Sequence, residues 1–280
     1  MNIGIFTKTF LRPTFQAVLD AVEATGLRWV QLNMESAGFA PMPEELSAEE
    51  AQEIGDALAA RRFQVAAVQG TFNMSHPDPE HRHHGLQRLG VLLAACPHLR
   101  TSCVAICIGT RDRENMWRHH PENRSAEAWK EMVSCVRTAV QMAEQVGVTL
   151  ALEPEVSNVV DSAAAARRLM DEISSPYLKV TMDGANLFHA GQLPSMAEVL
   201  DEAFAQVGRD IVLAHAKDIL HDGEAGQEAA GHGLLDYDRY LKLLQGSSLG
   251  AGPILLHGLT EEQAPGCIAF LQGKLAAFLG

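Results

Sequence analysis

The sequence lacks several features that mark redox, membrane and secreted proteins. Its five cysteines form no CxxC pair and mostly lie within apolar runs, which predicts reduced, buried thiols. No apolar run reaches the ~18 residues that a membrane-spanning helix needs. Residues 1–6 lack a basic region followed by a long apolar stretch, so they predict a first strand and not a signal peptide. We therefore expect a cytoplasmic protein with no membrane partner.

Basic residues are also scarce relative to acidic ones. The chain has 22 Lys and Arg against 35 Asp and Glu, which gives a net charge of -13 with histidine neutral. This balance disfavours binding to DNA or RNA phosphates, because such binding depends largely on basic side chains. We expect no nucleic-acid partner, although a small anion can still bind in a locally basic pocket.

Short strand-like runs alternate with amphipathic helical stretches along the whole chain, and this alternation predicts the fold. Eight such units of about 35 residues match a closed parallel barrel, which typically takes ~250 residues. Helix signals include a capping box from Ser47 to Glu50 and a stop at Gly147. We predict an α/β protein with a single (β/α)8 TIM barrel over residues 1–280. The predicted strands span residues 3–7, 28–33, 63–69, 102–108, 148–153, 178–183, 211–217 and 253–257.

An open, doubly wound parallel sheet is the main alternative fold. The loops that follow the predicted strands contain no GxGxxG fingerprint, which lowers the nucleotide-binding version of this alternative. No low-complexity segment or linker divides the chain into separate domains.

The carboxyl-terminal ends of the predicted strands carry the residues that suggest chemistry, since active-site side chains of such barrels project from these ends. The last four strands carry Glu153, Asp183, His215 and His257, each about one barrel unit after the previous one. Side chains that are distant in sequence can therefore converge at one mouth. A mixed carboxylate and imidazole set suits one divalent ion such as Mn²⁺, Co²⁺ or Zn²⁺, with Mg²⁺ less favoured.

The ordered strand-end motifs resemble those of a known family. Glu153-Pro154, the sequence DGANL at 183–187 and the sequence HAKD at 215–218 resemble the xylose isomerase-like barrel family, and the resemblance covers nearly the whole chain. That family includes sugar phosphate isomerases and epimerases, ketose 3-epimerases, inosose dehydratases and hydroxypyruvate isomerases. The resemblance implies one divalent metal held by Glu, Asp, His and a final Glu. In the epimerases, the first and last Glu also serve as acid/base groups on the two sugar faces.

The last strand departs from this family pattern, because His257 stands where the family usually has Glu. An imidazole titrates near neutral pH, so His257 can still bind metal or move a proton. Glu155 offers another carboxylate, since residues two apart in an extended segment share a face. We predict Glu153 as the catalytic base, His257 as a weaker candidate for the opposing acid, and Glu155 as a further catalytic candidate.

The endonuclease IV group shares the barrel but uses three zinc ions and more histidine and carboxylate ligands. This chain has Asn186 where those relatives place a histidine three residues after the aspartate. The acidic charge balance also argues against a DNA substrate.

Loops at the same mouth supply candidate substrate-binding residues. The planar fork of Arg111 can hold a carboxylate or phosphate, although pairing with Asp112 is the alternative. The indole of Trp117 can cover the apolar face of a sugar or cap the core. Lys217 shares a strand face with His215 and can polarise a carbonyl. The glycine-rich segment 221–235 is predicted to act as a mobile lid. The predicted substrate-binding residues are Asn73, His76, Arg111, Trp117, Asn186 and Lys217.

The predicted reaction is isomerisation or epimerisation beside a carbonyl of a small-molecule sugar or sugar phosphate, through a metal-stabilised enediolate. A metal-dependent dehydratase or lyase acting on a polyol or keto-sugar can use the same chemistry. A non-catalytic barrel that binds a metabolite also stays open, because a fold does not fix a function. The sequence is compatible with a homo-oligomer.

Overall fold

Eight parallel strands close into a barrel in the computed structural model, which describes residues 1–277. The strands are β1 (Asn2–Phe6), β2 (Trp29–Leu32), β3 (Gln64–Gln69), β4 (Cys103–Cys107), β5 (Thr149–Glu153), β6 (Leu178–Asp183), β7 (Ile211–Asp218), β8 (Glu228–Ala229) and β9 (Pro253–Leu256). The helices are α1 (Phe15–Ala24), α2 (Ala48–Ala60), α3 (Pro79–Ala95), α4 (Ala126–Val146), α5 (Ala163–Ile173), α6 (Met196–Val207), α7 (Tyr237–Gly246) and α8 (Ala264–Ala277).

The strand pairing shows that the sheet has no open edge. Strands β1 to β7 pair in sequence order, and β9 pairs in parallel with both β7 and β1. This closure confirms the predicted (β/α)8 fold and excludes the open sheet. Strand β8 lies outside the barrel and pairs antiparallel with the end of β7. The sequence does not predict it, because two residues carry no detectable periodicity.

Local sequence signals fix several helix ends at the positions predicted from them. Ser47 and Glu50 form the capping box that begins α2, and the Ser125 hydroxyl accepts a backbone hydrogen bond at the start of α4. Gly147 ends α4 in a left-handed conformation with φ 68°, which glycine adopts without steric cost. Since helices begin on the side of the barrel where strands end, the two N-terminal caps also fix where the mouth loops stop.

Alternation along the strands separates two cores. Leu150 and Leu152 of β5 are fully buried in the large core shared by strands and helices, whereas Glu153 at the end of the same strand turns toward the barrel axis. The barrel interior holds a smaller apolar cluster, composed of Phe6, Ala67, Ala105, Leu213 and Leu255. The apolar layer inside the barrel therefore lies beneath a polar layer at the strand ends.

Burial determines the chemistry of the cysteines in the described part of the chain. All five cysteines are free, and burial raises the pKa of Cys96, Cys103 and Cys135 to about 12. These thiols are therefore protonated near neutral pH and unreactive. No helix within residues 1–277 is both long enough and apolar enough to cross a membrane.

Close packing at Gly55 gives a test of the fold. A Cβ atom at this position of α2 would lie 2.0 Å from the backbone oxygen of His98. We expect Gly55→Ala to lower the free energy of unfolding by about 1–3 kcal/mol, the typical effect of overpacking. Gly266→Ala in α8 is the matched control, since its Cβ would meet no described heavy atom within 4 Å. It should raise stability by up to about 1 kcal/mol through helix propensity. Urea denaturation measures both, and equal effects would contradict the packing.

Candidate metal centre

Two carboxylates and two imidazoles meet at the carboxyl ends of β5, β6, β7 and β9. Glu153, Asp183, His215 and His257 each offer one ligand atom, and these four atoms lie within 4.8 Å of one another. Asp183 and His215 are direct neighbours in the register of β6 and β7. The first three residues are buried and His257 is half-buried. The structure thus brings together the four residues that the strand ends indicated.

Each carboxylate of the cluster faces an imidazole. Glu153 Oε2 lies 3.3 Å from His215 Nδ1, and Asp183 Oδ2 lies 3.1 Å from His257 Nε2. Lys217 adds a cation, with its Nζ 3.6 Å from Asp183 Oδ2. One cation and two imidazoles therefore surround two buried carboxylates, whose negative charges repel each other.

Burial and neighbouring charges set the ionisation of these groups. Burial opposes ionisation of Asp183, but Lys217 and His257 outweigh it and hold the pKa of the carboxyl well below its ordinary value. Burial also opposes ionisation of Glu153, yet His215 brings the net pKa below the ordinary value. Burial lowers the pKa of His257 to about 4, despite its hydrogen bond to Asp183. Ionised carboxylates and neutral imidazoles are the forms that bind metal ions.

His215 gives the clearest sign that the cluster suits a cation. Its Nδ1 atom is buried and has no hydrogen-bond partner among the described residues, whereas Nε2 lies 2.9 Å from Gln31 Oε1. A buried polar atom without a partner costs about 1–3 kcal/mol, so a ligand at this position would be stabilising. A donor set of two carboxylates and two imidazoles matches Mn²⁺, Co²⁺ or Zn²⁺. The residues therefore fit the divalent metal ion that the sequence predicts.

A cavity of about 560 Å³ opens over the cluster at the barrel mouth. Glu153, His215 and His257 line it at the strand ends, and residues 117–119 line it from the β4–α4 loop. From the β7–α7 loop, residues 223–225 and Gln227 line a further part of the cavity wall. Its volume lies within the range of small-molecule sites, which is roughly 300–1,000 Å³. A monosaccharide-sized molecule can therefore reach the ligand atoms.

Four predicted residues outside the cluster also line this cavity: Trp117, Glu155, Asn186 and Lys217. Asn186 links two of the site's charged groups, because its Nδ2 donates to Glu153 Oε1 at 2.7 Å and its Oδ1 accepts from Lys217 Nζ at 2.8 Å. The Glu155 carboxylate accepts hydrogen bonds within its own loop, and burial raises its pKa. Trp117 is 52% exposed, so its indole stands at the rim.

The structure places the other three predicted substrate-binding residues outside the cavity. The Asn73 amide bonds to backbone groups on both of its sides, and the His76 ring contacts backbone groups of two loops. Arg111 donates to Glu131 in α4 at 2.6 Å, and not to the Asp112 considered from the sequence. These side chains stabilise the mouth loops from within, so they are not part of the site proposed below.

The loop that follows β7 folds back over the cavity, where the sequence predicts a lid. The Asp218 carboxylate accepts backbone hydrogen bonds from Ile219, Gly231 and Leu235, which ties both ends of the loop together. Antiparallel pairing of β8 with β7 adds a further attachment. The loop therefore forms one wall of the cavity.

Three residues at the mouth went unrecognised in the sequence. Phe6 ends β1 and stacks on the His257 ring, with the centroids 4.7 Å apart. Gln31 in β2 bonds to His215, and Gln69 ends β3. Gln69 is the last residue of its predicted strand, so the strand-end rule would have found it. Phe6 and Gln31 lie one and two residues before the ends of their predicted strands, so that rule alone misses them.

Removal of one ligand tests the metal centre. Asp183→Asn removes a negative charge from the cluster and should weaken Mn²⁺ binding by more than about 100-fold. Loss of a residue that only hydrogen-bonds to a metal ligand already lowers metal affinity by about 10–100-fold. Glu224→Gln is the matched control, because Glu224 lines the same cavity but lies outside the cluster. Calorimetric titration of both variants checks this, and equal Mn²⁺ affinities would contradict the assignment.

Comparisons with known proteins agree with this architecture. Structures with the same fold include a D-tagatose 3-epimerase-like protein, at 14% identity and TM-score 0.76, covering 99% of this chain and 98% of that one. The IolI protein with a bound zinc atom matches at 17% identity and TM-score 0.74, covering 99% of each chain. The probable 3-DHS dehydratase AsbF from Bacillus anthracis matches at 13% identity and TM-score 0.72, covering 97% and 99%. Such low identities show the fold alone.

Sequence comparison gives the family directly. None of the curated proteins matches the sequence. A model of the xylose isomerase-like TIM barrel family matches residues 19–264, which is most of the chain. The chain therefore belongs to the xylose isomerase-like TIM barrel family.

Proposed function

We propose that the chain is a divalent-metal-dependent isomerase or epimerase acting on a sugar or sugar phosphate. The observation that carries this proposal is the convergence of Glu153, Asp183, His215 and His257 within 4.8 Å at an open cavity. Family membership supports a sugar-modifying enzyme, and the strand-end ligands supply the metal requirement of the proposal.

Each group of residues at the cavity has a separate proposed role in the reaction. A metal ion held by the cluster would polarise a sugar carbonyl and a neighbouring hydroxyl, which eases removal of the adjacent carbon-bound proton. Glu153 is the proposed base, because its carboxylate is ionised, lines the cavity and is oriented by Asn186. Lys217 Nζ is held by Asn186 at the same wall and can stabilise negative charge that develops on a substrate oxygen.

A metal-dependent dehydratase or lyase is the second candidate. The observation that favours it is His257, which stands where the epimerases of this family carry their second acid/base carboxylate. Proton removal by Glu153 can be followed by departure of a β-hydroxyl group as water, and this route needs no carboxylate on the second sugar face. A probable dehydratase with a similar fold is consistent with this second candidate.

Proton exchange from D₂O separates the candidate functions. We expect solvent deuterium to enter the carbon beside the carbonyl when the protein is incubated with Mn²⁺ and a panel of ketoses, keto-sugars and their phosphates. An isomer or epimer as product supports the first candidate, and loss of water supports the second. A protein that binds a sugar without exchange with any of the panel would be a metabolite-binding barrel.

The role of Glu153 as base gives a sharper prediction. Glu153→Gln keeps the size and one oxygen ligand but removes the charge and the basic lone pair, so exchange should fall by roughly 10²-fold or more. Saturating Mn²⁺ should restore metal occupancy but not the rate. Glu155→Gln is the comparison variant, because Glu155 is a cavity carboxylate whose oxygens are engaged in its own loop. Recovery of the rate at saturating Mn²⁺ would make Glu153 a ligand only.

The replacement of the family's last Glu gives a further prediction. His257→Glu restores a carboxylate at the end of β9, where the side chain faces Asp183 and the cavity. We expect this variant to retain Mn²⁺ and to increase epimer formation relative to the parent protein. Loss of Mn²⁺ binding in this variant would count against the alignment of β9 with the family's last strand.

A further inference from the structure

Two glutamines on β2 and β3, strands that contribute no residue to the four-residue cluster, are placed to orient one of its imidazoles. We propose that Gln31 and Gln69 form an amide relay that fixes the His215 imidazole with its proton on Nε2. The Nδ1 lone pair then faces Glu153 and the ion. This inference rests on the metal centre of the proposed function but concerns a property of the protein that exists before metal binds.

The relay is an unbroken chain of hydrogen bonds. Gln31 Oε1 lies 2.9 Å from His215 Nε2, and Gln31 Nε2 donates to Gln69 Oε1 at 2.5 Å. Gln69 Nε2 in turn donates to Thr71 Oγ1 at 2.5 Å, and the backbone N–H of Cys107 donates to the same hydroxyl oxygen at 3.2 Å. Gln31 and His215 are essentially inaccessible to solvent, so water does not compete for the bond between them, whereas Gln69 is half-buried and lines the cavity.

The hydrogen bonds of the relay all donate in one direction, from His215 toward Thr71, and this direction determines which imidazole nitrogen carries the proton. If the Gln31 amide alone turned over, its carbonyl oxygen would face the carbonyl oxygen of Gln69, and two acceptors would meet. Gln69 Nε2 donates to Thr71 Oγ1, so the opposite direction requires both amides to turn and the Thr71 hydroxyl to donate. In the orientation of the structure, Gln31 presents an acceptor to His215, and the ring donates from Nε2.

This tautomer explains the unpartnered atom in the cluster. With the proton on Nε2, Nδ1 of His215 carries a lone pair that faces Glu153 Oε2 at 3.3 Å. Two electron-rich atoms at this distance repel each other until a cation lies between them. Without the relay, the proton would move to Nδ1 and bond to Glu153, and a metal ion would have to displace it. The relay therefore prepares both ligands for the ion.

A neutral relay also preserves the charge of the centre. Outer partners of metal-bound histidines are often carboxylates, which orient the ring but add negative charge. Two amides orient the ring without doing so, and the ligand set keeps the two charges of Glu153 and Asp183. These two charges match one divalent cation.

Histidine nitrogen NMR on metal-free protein, combined with Mn²⁺ titration, tests the relay. The parent protein should show His215 protonated on Nε2, with the signal identified by its loss in His215→Gln. Gln31→Met removes the acceptor at similar size, so the proton should move to Nδ1 and Mn²⁺ affinity should fall by about 10–100-fold. Gln31→Glu restores an oxygen acceptor and should restore the Nε2-protonated form. Gln64→Met, at the exposed start of β3, is the control and should match the parent in both readouts.

Two results would overturn the relay: a parent protein with the His215 proton on Nδ1, or a Gln31→Met variant with unchanged tautomer and unchanged Mn²⁺ affinity. If the Gln31→Met variant does not fold, the Gln69→Met variant replaces it in the test. The Gln69→Met variant keeps the Gln31 side chain but removes the acceptor that holds the Gln31 amide in one orientation. Unchanged readouts in that variant would equally overturn the proposal. Absence of proton exchange in the parent protein would count against the proposed function alone, since the tautomer is measured without metal or substrate.

Discussion

The buried pairing of two carboxylates with two imidazoles is the interaction on which the rest of the site depends. Glu153 and Asp183 repel each other across a few ångströms of protein, where water screens little. Lys217 and His257 offset part of this repulsion through their contacts with Asp183, and a divalent ion would offset the remainder. The barrel holds these groups together because closure of the sheet fixes the positions of all strand ends at once.

The packing behind the site keeps these strand ends in register. The buried Tyr240 hydroxyl donates to the backbone oxygens of Met182 and His215, at 2.8 and 2.9 Å, and Tyr237 donates to that of Lys217 at 2.6 Å. Both tyrosines lie on α7, so one helix clamps the two strands that carry Asp183, His215 and Lys217. The site therefore depends on the outer core as well as on the barrel interior.

Strand periodicity made the fold and the convergence of the four strand-end residues predictable from the sequence. A residue such as Asp183 ends an apolar run, and in a barrel that position alone directs its side chain to the mouth. Loop residues offer no such rule. Arg111 was predicted to bind substrate, yet its partner Glu131 lies on α4, and only the packed helix brings the two together. The contacts of Gln31 likewise depend on how β2 faces β7 across the barrel, which no local pattern records.

The measurement that tests the metal centre most directly is the anomalous scattering of a crystal grown with Mn²⁺. We expect one ion bound by carboxylate oxygens of Glu153 and Asp183 and by Nδ1 of His215, at distances of about 2.0–2.3 Å. His257 should lie within direct or water-mediated reach of that ion. An ion bound elsewhere, or no ion at this position in saturating Mn²⁺, would contradict a metal centre formed by these residues.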